Sequence, residues 1–473
     1  MLVVAIAMPE GFHATHPVHL RESGGSAVAC CEGYAFVDGG ERVFEVDTSR
    51  IAYGSGAMLE LGTNARLLGM RRIALFTDPL VAQLALFAAA RAALHAAGCE
   101  VVVYNRSSVE PTNESFADAI AFAREAQADG YISIGGGSSI DTCKAANLYA
   151  THPADFLAYV NAPVGEGRAV PGPLAPHIAC PTTAGTGSEC TGIAIFDHLP
   201  IEAKTGIAAR LLRPTLALID PDWTATLPAT VVASAGFDVL AHALESYTAL
   251  PYTQRTAAAA GKRPLSQGAN PFSDIACLEA LRILGRNLVR AVTDPLDAGA
   301  RERMMFAATL AGIGFGNSGV HVPHAMAYAV AGLVRGYHAP EYPGTAPIVP
   351  HGMSVILNAP AAFRFTASAN PQRHLIAAEA LGADITACAD DEAGEVLATH
   401  IQTLMRDTHM PGDLRAVGYE AVNVEALVAG TLPQARLLKN SPRAVDAAAL
   451  HGLFTQALDA TRARPKSGEH ASV

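Results

Sequence analysis

Asp238 and His242 stand four residues apart in GFDVLAHALESYT, a spacing that puts both side chains on one face of a helix. Their neighbours Phe237, Val239, Leu240 and Leu244 are apolar, so that face is expected to be buried. A buried carboxylate–imidazole couple is either a hydrogen-bonded structural pair or half of a metal site. Two later segments, GVHVPHAMAYAVAG and IVPHGMSVILNAP, each carry histidine in an apolar, glycine-containing context. His321 and His324 lie three apart, and by spacing either could serve. His351 sits between Pro350 and Gly352, a tight turn that can aim an imidazole inward. One carboxylate with imidazoles suits divalent iron or zinc, whereas an oxygen-only shell suits magnesium or calcium.

A second constellation points to a phosphate-bearing ligand. YISIGGGSSIDTCKAANLYA reads as an apolar strand, a glycine triplet, two serines and a helix. Gly135, Gly136 and Gly137 let a backbone approach a ligand with no Cβ in the way. The free N–H groups and macrodipole of the following helix favour an anion. Ser138 and Ser139 can cap that helix or touch phosphate, and Asp141 in its first turn suits the dipole. The pattern is not GxGxxG, since Ile140 holds the place of the third glycine. PTTAGTGSECT follows an apolar run ending at Cys180 and offers Thr182, Thr183, Thr186 and Ser188 as small donors for a ribose or an amide. Asp78, closing IALFTDP, can accept from a ribose diol and would repel a 2′-phosphate, or can simply make an Asx turn before Pro79. Together the three segments favour NAD over NADP.

These residues need an α/β frame followed by a helical one. Ile73–Thr77, Val101–Tyr104, Tyr131–Ile134 and Ile178–Cys180 read as strands, with helical stretches at 80–97 and 115–128. Such alternation implies a parallel sheet. After Asp220-Pro221-Asp222 the texture changes to long Ala/Leu-rich stretches at 229–250, 274–292, 299–315, 321–334, 354–382 and 391–407, interrupted by Pro/Gly-rich loops at 251–273 and 336–350. The expected organisation is a loose arm over 1–42, an α/β dinucleotide-binding domain over 43–225, an all-helical metal-binding domain over 226–461 and a frayed tail over 462–473.

The 473 residues are half hydrophobic, enough for a sizeable core. A net charge of −11 with no basic face excludes a nucleic-acid partner. The eight cysteines form no CxxC pair, which fits a reducing compartment. No apolar stretch is long enough to span a bilayer, so no membrane partner is expected. The start MLVVAIAMPEG lacks the basic residues of a secretory signal, and the segment is too poor in arginine for a clear mitochondrial presequence. The expected location is cytoplasmic, or mitochondrial if the source is eukaryotic.

In order and spacing, GGGSSIDTCKAANL, PTTAGTGSECT, GFDVLAHALESYT, VPHAMAY and VPHGMS resemble the iron-containing (group III) alcohol dehydrogenases from about residue 45 to about residue 460. DTSRIAYGSG, AGIGFGNSGVH and AVGY…LVAGTLPQARLL are similar to its hydroxyacid-oxoacid transhydrogenase branch. The resemblance implies a dehydroquinate-synthase-like fold with the active site in the cleft between its two parts. It implies metal ligands at Asp238, His242, His324 and His351, so it selects His324 over His321. It implies a phosphate loop at Gly135–Gly137 with Ser138 and Asp141, nicotinamide-side contacts at Thr182, Thr183 and neighbours, and a ribose carboxylate at Asp78. Many dehydrogenases of the family carry a second histidine four residues after the third ligand; here Tyr328 stands there, and a phenol is a poorer relay near neutral pH. The wide spacing between His324 and His351 comes from GYHAPEYPGTAPIVP, a loop expected to wall the substrate pocket.

The implied chemistry is hydride transfer from a metal-polarised hydroxyl carbon to bound NAD, and in a transhydrogenase back to a second substrate. The implied substrates are a hydroxyacid such as 4-hydroxybutyrate and a 2-oxoacid such as 2-oxoglutarate. The alternatives are an NAD-releasing alcohol or 4-hydroxybutyrate dehydrogenase, a lyase sharing the fold, and a catalytically dead binding protein. Two acid substrates call for a fixed cation, with Lys144, Arg210, Arg255 and Arg263 as candidates and the last two favoured. The helical part could bury a homodimer face.

Overall fold

Six short strands, β1 (Arg50–Tyr53), β2 (Arg72–Phe76), β3 (Glu100–Tyr104), β4 (Gly130–Gly135), β5 (His177–Pro181) and, after a separate pair, β8 (Leu216–Ile219), form one parallel sheet in the order β1-β8-β5-β4-β2-β3. The computed structural model describes residues 34–460 apart from Glu202. Every residue of β4, β5 and β8 is buried, as near-continuous apolar runs should be when both faces of a sheet are covered. The four strands read from the sequence are present within one or two residues. The reading lacked β1 and β8, four residues each, and the antiparallel pair β6 (Ile193–His198) and β7 (Ala203–Ala208).

Helices α1 (Leu61–Leu67), α2 (Ala85–Ala96), α3 (Asn113–Ala126) and α4 (Gly137–Thr151) connect the first strands. The chain runs from β2 out to the edge strand β3, then returns to lay β4 on the other side of β2. The crevice between β2 and β4 is thus a topological switch point, the usual place for a ligand outside the strand ends. Asp78 follows β2 there, Gly135–Gly137 close β4, and Thr182 and Thr183 follow β5. Thr182 donates its N–H to the Gly135 carbonyl at 3.0 Å.

The helical region starts with α5 (Ala229–Thr248), α6 (Pro271–Thr293), α7 (Ala298–Ser318) and α8 (Val322–Gly332). These pack through a large core containing Phe237, Leu240, Leu244, Leu281, Leu284 and Met326. The stretch expected as one helical run over 354–382 is three helices: α9 (His351–Ile356), α10 (Ala359–Thr366) and α11 (Pro371–Leu381). Pro360 and Pro371 sit in the first turns of the last two, where a missing N–H costs nothing but a preceding helix must stop. Then come α12 (Ala393–Asp407), α13 (Val424–Thr431), the short α14 (Ala435–Leu438) and α15 (Ala447–Leu458).

The described end of the expected loose arm, residues 34–42, is tied down. Tyr34 donates its hydroxyl to Asp274 at 2.5 Å, and Asp274 also takes both Arg373 Nη groups. Glu41 accepts from Arg263 at 3.1 Å. Residues 1–33 and the expected tail at 462–473 lie outside the described residues.

Candidate active site

Helix α5 is buried almost throughout from Val232 onward, and it lays Asp238, His242 and Glu245 along one stripe, at i, i+4 and i+7. Helix α8 opposes that stripe with His324, and α9 opens with His351 directly after Pro350. The Nε2 atoms of His242, His324 and His351 lie 3.7, 3.5 and 3.6 Å from one oxygen, Asp238 Oδ1. Asp238, His242 and His324 form the tighter group, with ligand atoms all within 4.8 Å of one another. Asp238 Oδ1 and His324 Nε2 are buried and have no hydrogen-bond partner among the described residues. Left unfilled, such atoms cost about 1–3 kcal/mol each. A divalent cation satisfies both, so the residues fit the group that the donor chemistry predicted.

The surroundings hold the donors in place. Glu245 accepts from His324 Nδ1 at 2.5 Å, which directs Nε2 at Asp238. Burial disfavours a charged His324, but Glu245 and Asp238 outweigh it and lift the imidazole to about 9 in the metal-free site. Burial likewise opposes a charged Asp238, yet the three imidazoles hold its carboxyl below the usual range. Burial pushes His242 down to about 3, leaving it neutral as a ligand must be. Phe315 stacks on His242 with centroids 4.0 Å apart and planes 7° from parallel. His321, the alternative that spacing left open, turns away: its Nδ1 accepts the Val322 N–H and its Nε2 meets Thr248 Oγ1 at 3.1 Å.

Gly352 explains how α9 comes close enough. A Cβ there would lie 1.9 Å from the Ser234 carbonyl of α5. In the loop before it, expected to wall the pocket, Tyr342 packs against the core cluster of Phe237 and Met353, and Glu341 accepts the Thr230 N–H at 2.9 Å.

Next to the donors is a cavity of about 120 Å³ lined by Gly137, Ser138, Thr186, Ile193, Phe315 and Tyr328, among others. Tyr328 is buried, and burial raises its hydroxyl above the ordinary range. The glycine triplet does not serve by unusual backbone angles; Thr186 packs where a Gly137 Cβ would be, and Thr183 closes on Gly136. No serine caps α4. Gly136 is its N-cap, and Ser138 and Ser139 lie in the first turn. Asp141 lies beyond that turn and is tied sideways rather than to the dipole: it accepts the Ile195 N–H at 2.9 Å and the Ser188 hydroxyl. One Asp78 oxygen accepts the Leu80 and Val81 N–H groups at 2.9 Å, the Asx-type alternative, while the other faces Gly135.

None of the four expected cations is available to an acid in this cavity. Lys144 is buried and donates to Ser188 at 2.6 Å, to the Ile193 carbonyl at 2.7 Å and to Asp141 at 3.2 Å. Arg210 pairs with Glu45 and Asp47, and Arg263 with Glu41 and Glu45. Arg255 donates to the Ser266 carbonyl at 2.7 Å and lines a separate hollow with Arg263. The cations that do line the cavity, Lys204 and Arg436, went unread in the sequence. Lys204 is held between Glu110 and Asp197, at 2.9 Å from the latter.

Residues 48–221 match the family model of iron-containing alcohol dehydrogenase, and residues 265–458 match the model for the C-terminal part of the Fe-containing alcohol dehydrogenase family. The chain belongs to the iron-containing alcohol dehydrogenase family. It is 50 % identical over 417 residues to the mitochondrial hydroxyacid-oxoacid transhydrogenase of Xenopus tropicalis, covering 88 % of this chain and 90 % of that one. Against the protein of the same name from Rattus norvegicus it is 49 % identical over 414 residues, covering 87 % and 89 %. Among solved structures it resembles a 1,3-propanediol oxidoreductase, with TM-score 0.77 and 28 % identity, over 88 % of this chain and all of that one. Within the family, then, its likeness falls in the transhydrogenase branch, and the chain is an oxidoreductase.

Proposed function

We propose that this chain is a hydroxyacid-oxoacid transhydrogenase: it moves a hydride from a 4-hydroxybutyrate-like hydroxyacid to a 2-oxoglutarate-like oxoacid through NAD(H) that stays bound. The supporting observation is the half-identity to transhydrogenases along 88 % of the chain. The first substrate loses a hydride and a proton to become a semialdehyde. The second gains both to become a 2-hydroxyacid, so the cofactor ends as it began.

In this reading Asp238, His242, His324 and His351 hold ferrous iron in preference to zinc, a choice that rests on the family name because the donor set accepts either. When bound, the cation supplies Lewis acidity to the substrate oxygen, and NAD supplies the hydride acceptor. The chain's own residues do the rest. The N-terminus of α4 at Gly137 and Ser138 offers N–H groups to the pyrophosphate. Asp78 takes the ribose diol, and Thr182, Thr183 and Thr186 close on the nicotinamide half. Asp141 and Ser188 position that wall through their mutual hydrogen bond. Tyr328 keeps its proton near neutral pH, which suits a hydrogen-bond donor toward the substrate oxygen better than a base.

Residues 43–225 are taken as the cofactor domain and 226–461 as the metal domain, with a homodimer formed through the latter. Among the described residues no helix is long and apolar enough to cross a membrane. The relatives' names place those proteins in mitochondria, in line with the eukaryotic alternative read from the sequence.

The deciding experiment supplies 4-hydroxybutyrate and 2-oxoglutarate without free NAD. Equal amounts of semialdehyde and 2-hydroxyglutarate are expected over many turnovers. Product that forms only when NAD is added would make the chain an ordinary NAD-releasing dehydrogenase.

A further inference from the structure

Beside the cavity at the metal donors lies a second one of about 450 Å³, bounded by the Asn161–Val164 loop, β7 and α13. The two share four lining residues: Ile195, Lys204, Tyr328 and Arg436. A substrate whose hydroxyl sits at Asp238 can therefore extend its tail across this boundary.

The charges at the boundary are unequal in availability. Lys204 is buried and already held by Glu110 and Asp197. Arg436 is exposed on α14, and among the described residues it has no hydrogen bond or ion pair. Its backbone is nonetheless fixed. The next residue, Leu437, is buried against Phe315, Val320 and Tyr328, and Asn440 beyond it donates to the Ser318 and Val320 carbonyls at 3.1 and 3.2 Å. A guanidinium on an anchored backbone can grip a carboxylate with two parallel N–H groups. Ile193, Ile195, Phe315 and Val320, which line the same cavity, are apolar and offer a carboxylate no hydrogen-bond donor from their side chains.

We propose that Arg436 is the carboxylate anchor of this enzyme, receiving the hydroxyacid and then the 2-oxoacid at the boundary of the two cavities and setting the preference for acids over neutral alcohols. The inference rests on the transhydrogenase reading, which supplies the acid substrates. A single fixed cation serves both half-reactions because the two substrates occupy the pocket in turn.

The test compares Arg436→Gln and Arg436→Lys with the natural enzyme, using 4-hydroxybutyrate and 1-butanol as alternative hydride donors. In Arg436→Gln the ratio of kcat/KM for the acid to kcat/KM for the alcohol should fall about 10- to 100-fold, the worth of a hydrogen-bonded charge pair. Arg436→Lys keeps the charge but loses the fork, and should fall between. Glutarate, added as an inhibitor competing with butanol, should weaken in the same proportion. An unchanged ratio and unchanged glutarate inhibition in Arg436→Gln would overturn the anchor while leaving the transhydrogenase reading intact. If the natural enzyme itself fails to favour the acid over butanol, that reading fails, and the anchor with it.

Discussion

Glu245 is not itself an expected ligand, yet it fixes the orientation of His324, one of the buried donors. Its carboxylate takes His324 Nδ1 and also the His321 N–H at 2.6 Å, so one side chain sets the imidazole and the start of α8 together. Such outer partners tune metal affinity through the ligand they orient. Glu245→Gln should therefore lower metal affinity about 10- to 100-fold with the fold retained, read as metal lost to a graded chelator series. A variant that holds metal as tightly as the natural chain would make Glu245 merely structural. The donors themselves were legible because histidine and aspartate are conspicuous in apolar company. Glu245 stood in the same LESYT stretch and only the i+7 spacing marks it. The cations were misread for a different reason. Sequence shows a charge but not its partner, and Lys144, Arg210, Arg255 and Arg263 all have theirs, while Arg436 has none among the described residues and lies on a helix too short to announce itself.

At the scale of elements, the site depends on how closely α9 approaches α5. Met353 donates its N–H to Ser234 Oγ at 3.2 Å, and Gly352 leaves no room for a methyl group against the Ser234 carbonyl. Gly352→Ala must push α9 outward, a backbone clash that costs about 1–3 kcal/mol. The expected result is a lower melting temperature together with weaker metal retention, because His351 moves with its helix. A variant that melts normally and keeps its metal would show that α9 adapts. A comparable close approach joins the hydroxyl-rich segment to the helices: Gly187, at φ +58°, would drive a Cβ to 2.5 Å from Gly312 Cα of α7. The long helices announced themselves as Ala/Leu-rich stretches and the buried strands as short apolar runs. The breaks at Pro360 and Pro371 were misjudged because a proline in a first turn resembles a proline inside a helix until neighbours are known. Strand β1, RIAY, opens on a charged residue and is only partly buried, so no apolar run marks it.

For the whole molecule, the strand order could not be read from alternation, which fixes neighbours in sequence but not in the sheet. The reversal at β2 was what turned three separate loops into one crevice. Stability should also depend on buried neutral histidines. Burial pushes His177, paired with Ser133 at 2.8 Å, down to about 3, and His374, paired with Thr366 at 2.9 Å, down to about 4. Both ordinarily titrate near 6.5, so below that pH the unfolded chain takes up protons that the folded chain refuses. Stability is therefore full above about pH 6.5 and falls as pH drops toward 4, by about 1.4 kcal/mol per pH unit for each histidine. Thermal unfolding of metal-free protein between pH 7 and 5 checks this, and a flat profile would contradict it. The fourth donor gives the molecule a different kind of asymmetry. Asp238, His242 and His324 are buried on long helices, whereas His351 stands at the end of an irregular loop with 28 % of its side chain exposed. If the four residues hold the proposed ion, three donors form a waiting seat and the fourth a latch, and the speed at which newly made protein gains or sheds that ion should follow the latch.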